Sequence, residues 1–190
     1  FRKHKRLAEA ALAQLDDAAF FAVLGPEENS PALIVKHVTG NQLSRWTDFL
    51  TTDGEKPWRH REEEFAARSV SREDLLAKWN DGWQALLTTL DTLTDADLEK
   101  AVTIRGQSLA VHEALHRSLA HISYHVGQIV YLAHAIVGTG WKYLSIPPGG
   151  SAAYNADPKM EKPAAHTAKV AVNRFQRRGV TTVTAPPRPT

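Results

Sequence analysis

The segment from residue 108 to residue 137 carries the longest regular pattern in the chain, with an apolar side chain at every third or fourth position. This spacing places the apolar side chains on one face of a helix with about 3.6 residues per turn. The sequence therefore predicts one long amphipathic helix that buries this face. The apolar positions are Val111, Leu115, Leu119, Ile122, Val126, Ile129, Ala133 and Ile136.

Two pairs of histidines lie on this predicted helix, His112 with His116 and His121 with His125. Side chains four residues apart lie one helical turn apart, so both imidazoles of a pair can reach one metal ion. The first pair also encloses Glu113 and spells the His-Glu-x-x-His motif of zinc peptidases. Each pair flanks one edge of the apolar face, so the periodicity alone leaves both sites open.

Three further helices are predicted from apolar spacing and capping residues. The first covers about residues 2–24, and the second covers about residues 31–52 behind a Ser30 cap. The third begins at a capping box that opens at Ser71. Residues 102–106 are the only strand-like stretch and are too short and isolated to predict a sheet. We therefore expect an all-α four-helix bundle with short connecting helices, in which metal sites lie between facing helices.

The composition restricts the chemistry. The chain has no cysteine, which excludes disulfides, iron–sulfur clusters and thiol nucleophiles. A bound metal would therefore need histidine or carboxylate ligands. No apolar run reaches the length of about 20 residues that spans a membrane, and no signal-peptide pattern opens the sequence, so we expect a cytoplasmic protein.

Charge divides the chain into two parts. From residue 159 onward seven basic residues accompany one Glu, a charge of +6, which leaves −4 on the first 158 residues of a chain with net charge +2. The last part also contains four prolines and few large apolar residues. We expect one folded domain over residues 1–158 and a flexible, poorly ordered basic tail over residues 159–190. A basic tail could contact nucleic acid, but a solvated extension is the favoured interpretation.

A third histidine, His37, lies on a polar stripe of the second predicted helix. Asn41, Ser44 and Asp48 follow it at intervals of four, seven and eleven residues. One imidazole from this helix and two from the long helix would fill three positions around a metal ion. A partly buried histidine satisfied by a neighbour explains His37 equally well. All-imidazole ligation favours zinc or nickel, with iron or manganese as alternatives.

The peptidase interpretation is the remote alternative. An all-helical chain has no sheet edge on which a zinc peptidase could align its substrate. The extended form of the motif also fails, because Leu119 and Ile122 stand where it requires Gly and His. A zinc peptidase would use His112, Glu113 and His116.

Three blocks of sequence resemble the DinB-like superfamily of four-helix-bundle metalloproteins, in an uncharacterised bacterial branch. They are Ile-Val-Lys-His-Val-Thr-Gly-Asn at residues 34–41, the Ser-Arg-Trp-Thr-Asp-Phe-Leu block that opens residues 44–58, and His-Ile-Ser-Tyr-His-Val-Gly-Gln at residues 121–128. The resemblance extends from the first helix to Pro147. It covers nearly the whole chain before the basic tail.

The resemblance implies a metal ion held by His37, His121 and His125 and assigns no ligand role to the first histidine pair. Related members are transferases and isomerases that use low-molecular-weight thiols such as bacillithiol or mycothiol. The expected function is a metal-dependent transferase that acts on a small molecule with a thiol cosubstrate. A stress-associated bundle that binds metal or ligand without catalysis is the alternative, and no catalytic residue is predicted.

Polar residues near the expected centre are candidates for lining the substrate site. These are Asn41, Asp48 and Gln128, of which Asp48 lies too far along its helix to bind the metal directly. Arg59 and Arg61 belong to a charged loop, which we expect to be solvated although it could reach a cosubstrate carboxylate.

A homodimer is also expected. Large apolar residues on the first and third helices exceed what a thin four-helix core accommodates, and the resemblance points the same way. The residues concerned are Phe20, Phe21, Trp79 and Trp83.

Overall fold

The computed structural model describes residues 1–26, 28–65 and 70–159. This part of the chain is mostly helical, which confirms the helical character predicted from the sequence. It contains seven α-helices and one two-stranded hairpin. In chain order these are α1 (Arg2–Leu12), α2 (Asp17–Phe21), α3 (Pro31–Trp46), α4 (Arg61–Glu64), α5 (Arg72–Thr92), β1 (Ala101–Ile104), β2 (Gln107–Ala110), α6 (Val111–Val137) and α7 (Ser151–Ala156).

The first predicted helix is in fact two helices, α1 and α2. Asp16 caps α2 and accepts a hydrogen bond from the backbone N–H of Ala19 at 2.8 Å. The Arg72 guanidinium donates to the carbonyl oxygens of Leu12 and Leu15 at 3.0 and 2.8 Å, so the carbonyls released at the break keep partners. The prediction of one helix over residues 2–24 is wrong because the break depends on a side chain that lies far along the chain.

Helices α3 and α5 form the most extensive helix pair in the structure. Both begin as predicted, since Ser30 and Ser71 each accept a hydrogen bond from the backbone N–H three residues later, at 3.2 and 3.1 Å. Gly82 lies where the two helices approach closely. A Cβ atom there would be 2.8 Å from Gln42 Oε1 and 3.4 Å from Thr39 Cα, so this glycine sets the spacing of the pair.

The strand-like stretch is paired, which the sequence analysis did not predict. Strands β1 and β2 form an antiparallel hairpin with Ala101 opposite Ala110. The turn residues Arg105 and Gly106 have φ values of 54° and 71°, the left-handed conformation that a tight hairpin turn requires. The Asp53 carboxylate accepts a hydrogen bond from each of their backbone N–H groups, at 2.8 Å in both cases. A loop residue therefore stabilises this turn.

Helix α6 is the predicted long helix, shortened at its start because residues 108–110 belong to β2. It packs along α1 and also contacts α3, so it connects the α3–α5 pair to α1. The side chains of Ile122, Val126 and Ile129 are buried in the core, as the periodicity predicts.

Three of the four aromatic residues that suggested a dimer lie inside the core. Phe20, Trp79 and Trp83 are at most 1% exposed, whereas Phe21 is 43% exposed. The monomer core accommodates them, so most of the apolar surplus expected from the sequence is absent.

No helix in the described part of the chain is long and apolar enough to span a membrane. Almost all of the predicted basic tail, residues 160–190, lies outside the described residues.

Candidate metal centre

His37 lies in the middle of α3 and is 7% exposed. Its buried neighbours Ile34 and Val38 belong to the core. The centroid of the His37 ring lies 5.4 Å from that of His121 and 4.9 Å from that of His125. Helices α3 and α6 thus bring together the three histidines selected from the sequence.

The three imidazoles converge on one point. One nitrogen of each ring lies within 4.8 Å of the corresponding nitrogens of the other two, and no other group of three potential ligands in the described residues meets this condition. The Nε2 atoms of His121 and His125 are 3.2 Å apart. Two nitrogen ligands of a tetrahedral zinc ion lie about 3.3 Å apart. The His121–His125 pair therefore has the spacing of two ligands of one divalent ion, and His37 lies close enough to be considered as the third.

Glu64 fixes the orientation of the His37 ring. His37 Nδ1 lies 2.8 Å from Glu64 Oε2, while Arg59 donates to the same carboxylate from Nε at 2.8 Å and from Nη2 at 3.0 Å. With its hydrogen on Nδ1, His37 keeps a lone pair on Nε2 for a metal ion.

A glycine makes room for this carboxylate. A Cβ atom on Gly40 would be 2.8 Å from Glu64 Cδ. Glu64 was not predicted from the sequence, because it lies 27 residues from His37 in a run of three glutamates that is typical of a solvated helix.

Gln128 orients His125 in a similar way. His125 Nδ1 lies 2.8 Å from Gln128 Oε1, and Gln128 Nε2 donates to the Tyr124 hydroxyl at 3.2 Å. This places the hydrogen of His125 on Nδ1 and leaves a lone pair on Nε2. His121 differs, because its buried Nδ1 has no hydrogen-bond partner within the described residues.

The local electrostatics favour the uncharged form of His121 and His125. Burial, together with the neighbouring His125, His37 and Arg59, lowers the pKa of His121 to about 3. Burial also lowers the pKa of His125. Burial acts to raise the pKa of Glu64, but hydrogen bonds from His37 and Arg59 outweigh this and hold the pKa below its usual value. At neutral pH His121 and His125 are therefore neutral, the form in which histidine binds metal.

A cavity of about 180 Å³ adjoins the centre, and His37 and His121 form part of its wall. Asn41, one of the three predicted lining residues, also lies in the wall. The remaining lining residues were not predicted, apart from the loop arginines. They are Arg45, Trp46, Phe49, Arg59, Arg61, Ile104, Arg105, Ala114, Arg117 and Ser118.

Asp48 and Gln128 do not line this cavity. Helix α3 ends at Trp46, before the expected residue 52, so the polar stripe stops short of Asp48. Asp48 has a left-handed φ of 50° and an exposed side chain. The helix ends here because the following loop folds back, and Ser44 Oγ donates to the carbonyl oxygen of Gly54 at 2.6 Å.

The first histidine pair has local structural partners at the start of α6. Glu113 Oε2 accepts a hydrogen bond from the backbone N–H of Ala110 at 2.8 Å, which caps the helix. His112 Nδ1 lies 3.1 Å from the carbonyl oxygen of Leu98, and His116 is exposed. These contacts give His112 and Glu113 of the His-Glu-x-x-His motif a structural role at the start of α6.

Comparison with known proteins adds one match. Among curated proteins and among solved structures, no similar protein was found. A family model described as a protein of unknown function, DUF1572, matches residues 1–150, which include the three histidines, Glu64 and the whole cavity wall. Since this match covers most of the 190 residues, the chain belongs to the DUF1572 family.

Proposed function

We propose that this protein is a metal-dependent transferase that uses a low-molecular-weight thiol as cosubstrate. The observation that carries the proposal is the convergence of His37, His121 and His125 beside a cavity. Because the chain has no cysteine, a sulfur nucleophile has to arrive with a small molecule.

The proposal includes a fold type. We propose that α1, α3, α5 and α6 form a four-helix bundle of the DinB-like type. The pairing of α3 with α5, of α1 with α6 and of α3 with α6 supports this arrangement, as do the three resembling sequence blocks. In such bundles metal sites lie between facing helices. A location in the cytoplasm stays a prediction from the sequence.

The proposed ion is a divalent transition metal, with zinc or nickel as the first choice and iron or manganese as alternatives. His37, His121 and His125 would hold it, as the resemblance implies. When bound, such an ion lowers the pKa of a thiol or water ligand and so supplies a nucleophile near neutral pH.

The surrounding residues orient the histidines and line the cavity beside them. Glu64 and Gln128 each hold a histidine Nδ1, so two Nε2 lone pairs are oriented before any ion arrives. Trp46 and Phe49 supply apolar wall to the cavity and limit the access of water.

Elemental analysis of purified protein tests the centre. We expect about one divalent ion per chain, and we expect His37→Ala and His121→Ala to lose it. His112→Ala is the matched control, on the same helix as His121, and should retain the ion. Loss in this control with retention in the other two variants would instead favour the zinc peptidase.

A conjugation assay tests the activity. The metal-loaded protein should accelerate the addition of bacillithiol or a related thiol to an electrophile, and His125→Ala should not. His116→Ala, which changes an exposed histidine of the same helix, should remain active. If a broad screen of thiols and electrophiles gives no metal-dependent turnover while the three histidines bind metal, the non-catalytic binding protein becomes the better account.

A further inference from the structure

The cavity beside the three histidines is surrounded by positive charge. Five of its lining residues are arginines, and none is Asp or Glu. The three carboxylates of Glu55, Glu62 and Glu64 pair with four of these guanidinium groups. Within these ion pairs and Arg117, the arginines outnumber the carboxylates by two. The arginines are Arg45, Arg59, Arg61, Arg105 and Arg117.

Arg117 is the arginine without a carboxylate. It lies on α6 one turn before His121, is exposed, and makes no hydrogen bond or ion pair with the described residues. A guanidinium group carries five N–H donors in a planar fork that matches carboxylate and phosphate oxygens. Arg117 can therefore bind an anion without first breaking a contact.

We propose that this cavity binds the carboxylate or phosphate group of a small molecule. Arg117 would pair with the anionic group, and the other four arginines of the wall would add to the attraction. Apart from the two histidines, the wall presents guanidinium donors and no carboxylate, which is the chemistry expected for an anion.

The position of the cavity links this anion to the candidate centre. His37 and His121 belong both to the cavity wall and to the three-histidine group. A molecule anchored by its acid group therefore places its remainder against the histidines. In naming an organic acid or a phosphate ester as the substrate class, this inference rests on the proposed function. Binding of the anion itself requires no metal.

Calorimetric titration of metal-free protein tests the binding. The probes are sodium succinate and sodium phosphate, with sodium chloride keeping the ionic strength constant. Saturable binding of succinate alone identifies a carboxylate, and binding of phosphate alone identifies a phosphate ester. Binding of both shows a general oxoanion site. If neither probe binds saturably, the proposal is wrong.

Two variants test where the anion binds. Arg117→Gln removes a charge-assisted pair and should weaken binding roughly 10- to 100-fold. Lys78→Gln is the matched control, because Lys78 is exposed on α5 and lies outside the cavity wall. Equal weakening in both variants would show attraction by overall charge and would overturn the site.

Nuclear magnetic resonance of the indole N–H groups adds a reading inside the cavity, because Trp46 lines its wall. The chain has five tryptophans, and Trp46→Phe identifies the signal of Trp46. We expect this signal to shift on saturation with the anion, while those of the core residues Trp79 and Trp83 stay in place. A stationary Trp46 signal would place the anion outside this cavity and would overturn the site.

The two proposals fail separately. Anion binding by the wild-type protein without any metal-dependent thiol transfer supports the anion site and counts against the transferase. Stoichiometric zinc without anion binding overturns the anion site alone.

Discussion

Glu64 lies 7% exposed between His37 and Arg59 and accepts hydrogen bonds from both. Glu64→Gln removes its charge, weakens the hold on His37 and leaves the buried Arg59 guanidinium uncompensated. We expect zinc affinity, measured by competition with a chelator, to fall roughly 10- to 100-fold. Glu62→Gln, a change of an exposed glutamate on the same helix, should leave the affinity unchanged. Equal affinity in the Glu64 variant would show that His37 needs no such support.

The depressed pKa of His121 predicts how stability depends on pH. In the folded protein this pKa is about 3, against an ordinary value of 6.5. Between these values the unfolded chain binds a proton that the folded chain does not. The contribution of His121 to the free energy of unfolding of metal-free protein should therefore be fully present above pH 6.5. It should be lost as the pH drops toward 3, by up to about 1.4 kcal/mol per pH unit. His125 acts in the same direction.

Urea unfolding at about pH 7 and pH 5 measures this dependence. His121→Gln should reduce the loss between the two conditions. His116→Gln, on the exposed side of the same helix, should lose as much stability as the wild-type protein. If the wild-type free energy of unfolding is the same at both pH values, the folded state does not depress the pKa of these histidines.

Within α3, Gly40 provides the space that Glu64 occupies. Gly40→Ala should displace this carboxylate and weaken zinc binding, although alanine favours the helix itself. Gly127→Ala is the matched control on α6, because a Cβ atom there has no neighbour within 4 Å. This control should bind zinc normally and gain about 0.5–1 kcal/mol in the free energy of unfolding. Normal zinc binding by Gly40→Ala would mean that α4 can move aside without cost.

The two helix starts that were predicted correctly carry their signals locally. Ser30 with Pro31 begins α3, and Ser71 begins α5, through hydrogen bonds that span three residues. The features that were missed, the break between α1 and α2 and the hairpin, depend on distant partners. Arg72 satisfies the carbonyls at the break after α1, and Asp53 holds the hairpin turn. Such contacts leave no periodic trace in a sequence.

The candidate site divides in the same way. His121 and His125 were found because their spacing is that of one helical turn, and His37 because of its polar stripe and the family resemblance. Glu64 and Arg117 were not found, since a charged residue in a loop or on an exposed helix face is usually solvated. The geometry now groups the three histidines, and their role as metal ligands stays a prediction.

For the whole molecule, a homodimer remains a proposal. Its original basis is weaker, because the core accommodates most of the aromatic residues concerned. Exposed Phe21, Tyr124 and Tyr131, at 43%, 63% and 70%, still offer apolar surface. Sedimentation at micromolar concentration should give a species of about twice the chain mass of 21.0 kDa. A single species near 21.0 kDa would contradict the dimer.

The three histidines lie close together but come from parts of the chain that are distant in sequence. His37 belongs to the α3–α5 pair, and His121 and His125 belong to the α1–α6 pair. In small proteins a disulfide often links such distant segments, but this chain has no cysteine to form one. A cross-link stabilises a fold by restricting its unfolded chain, and more so when it closes a long loop. An ion bound by the three histidines would act as a reversible cross-link between the two helix pairs. The supply of metal would then govern how long each molecule survives proteolysis, independently of any reaction it performs.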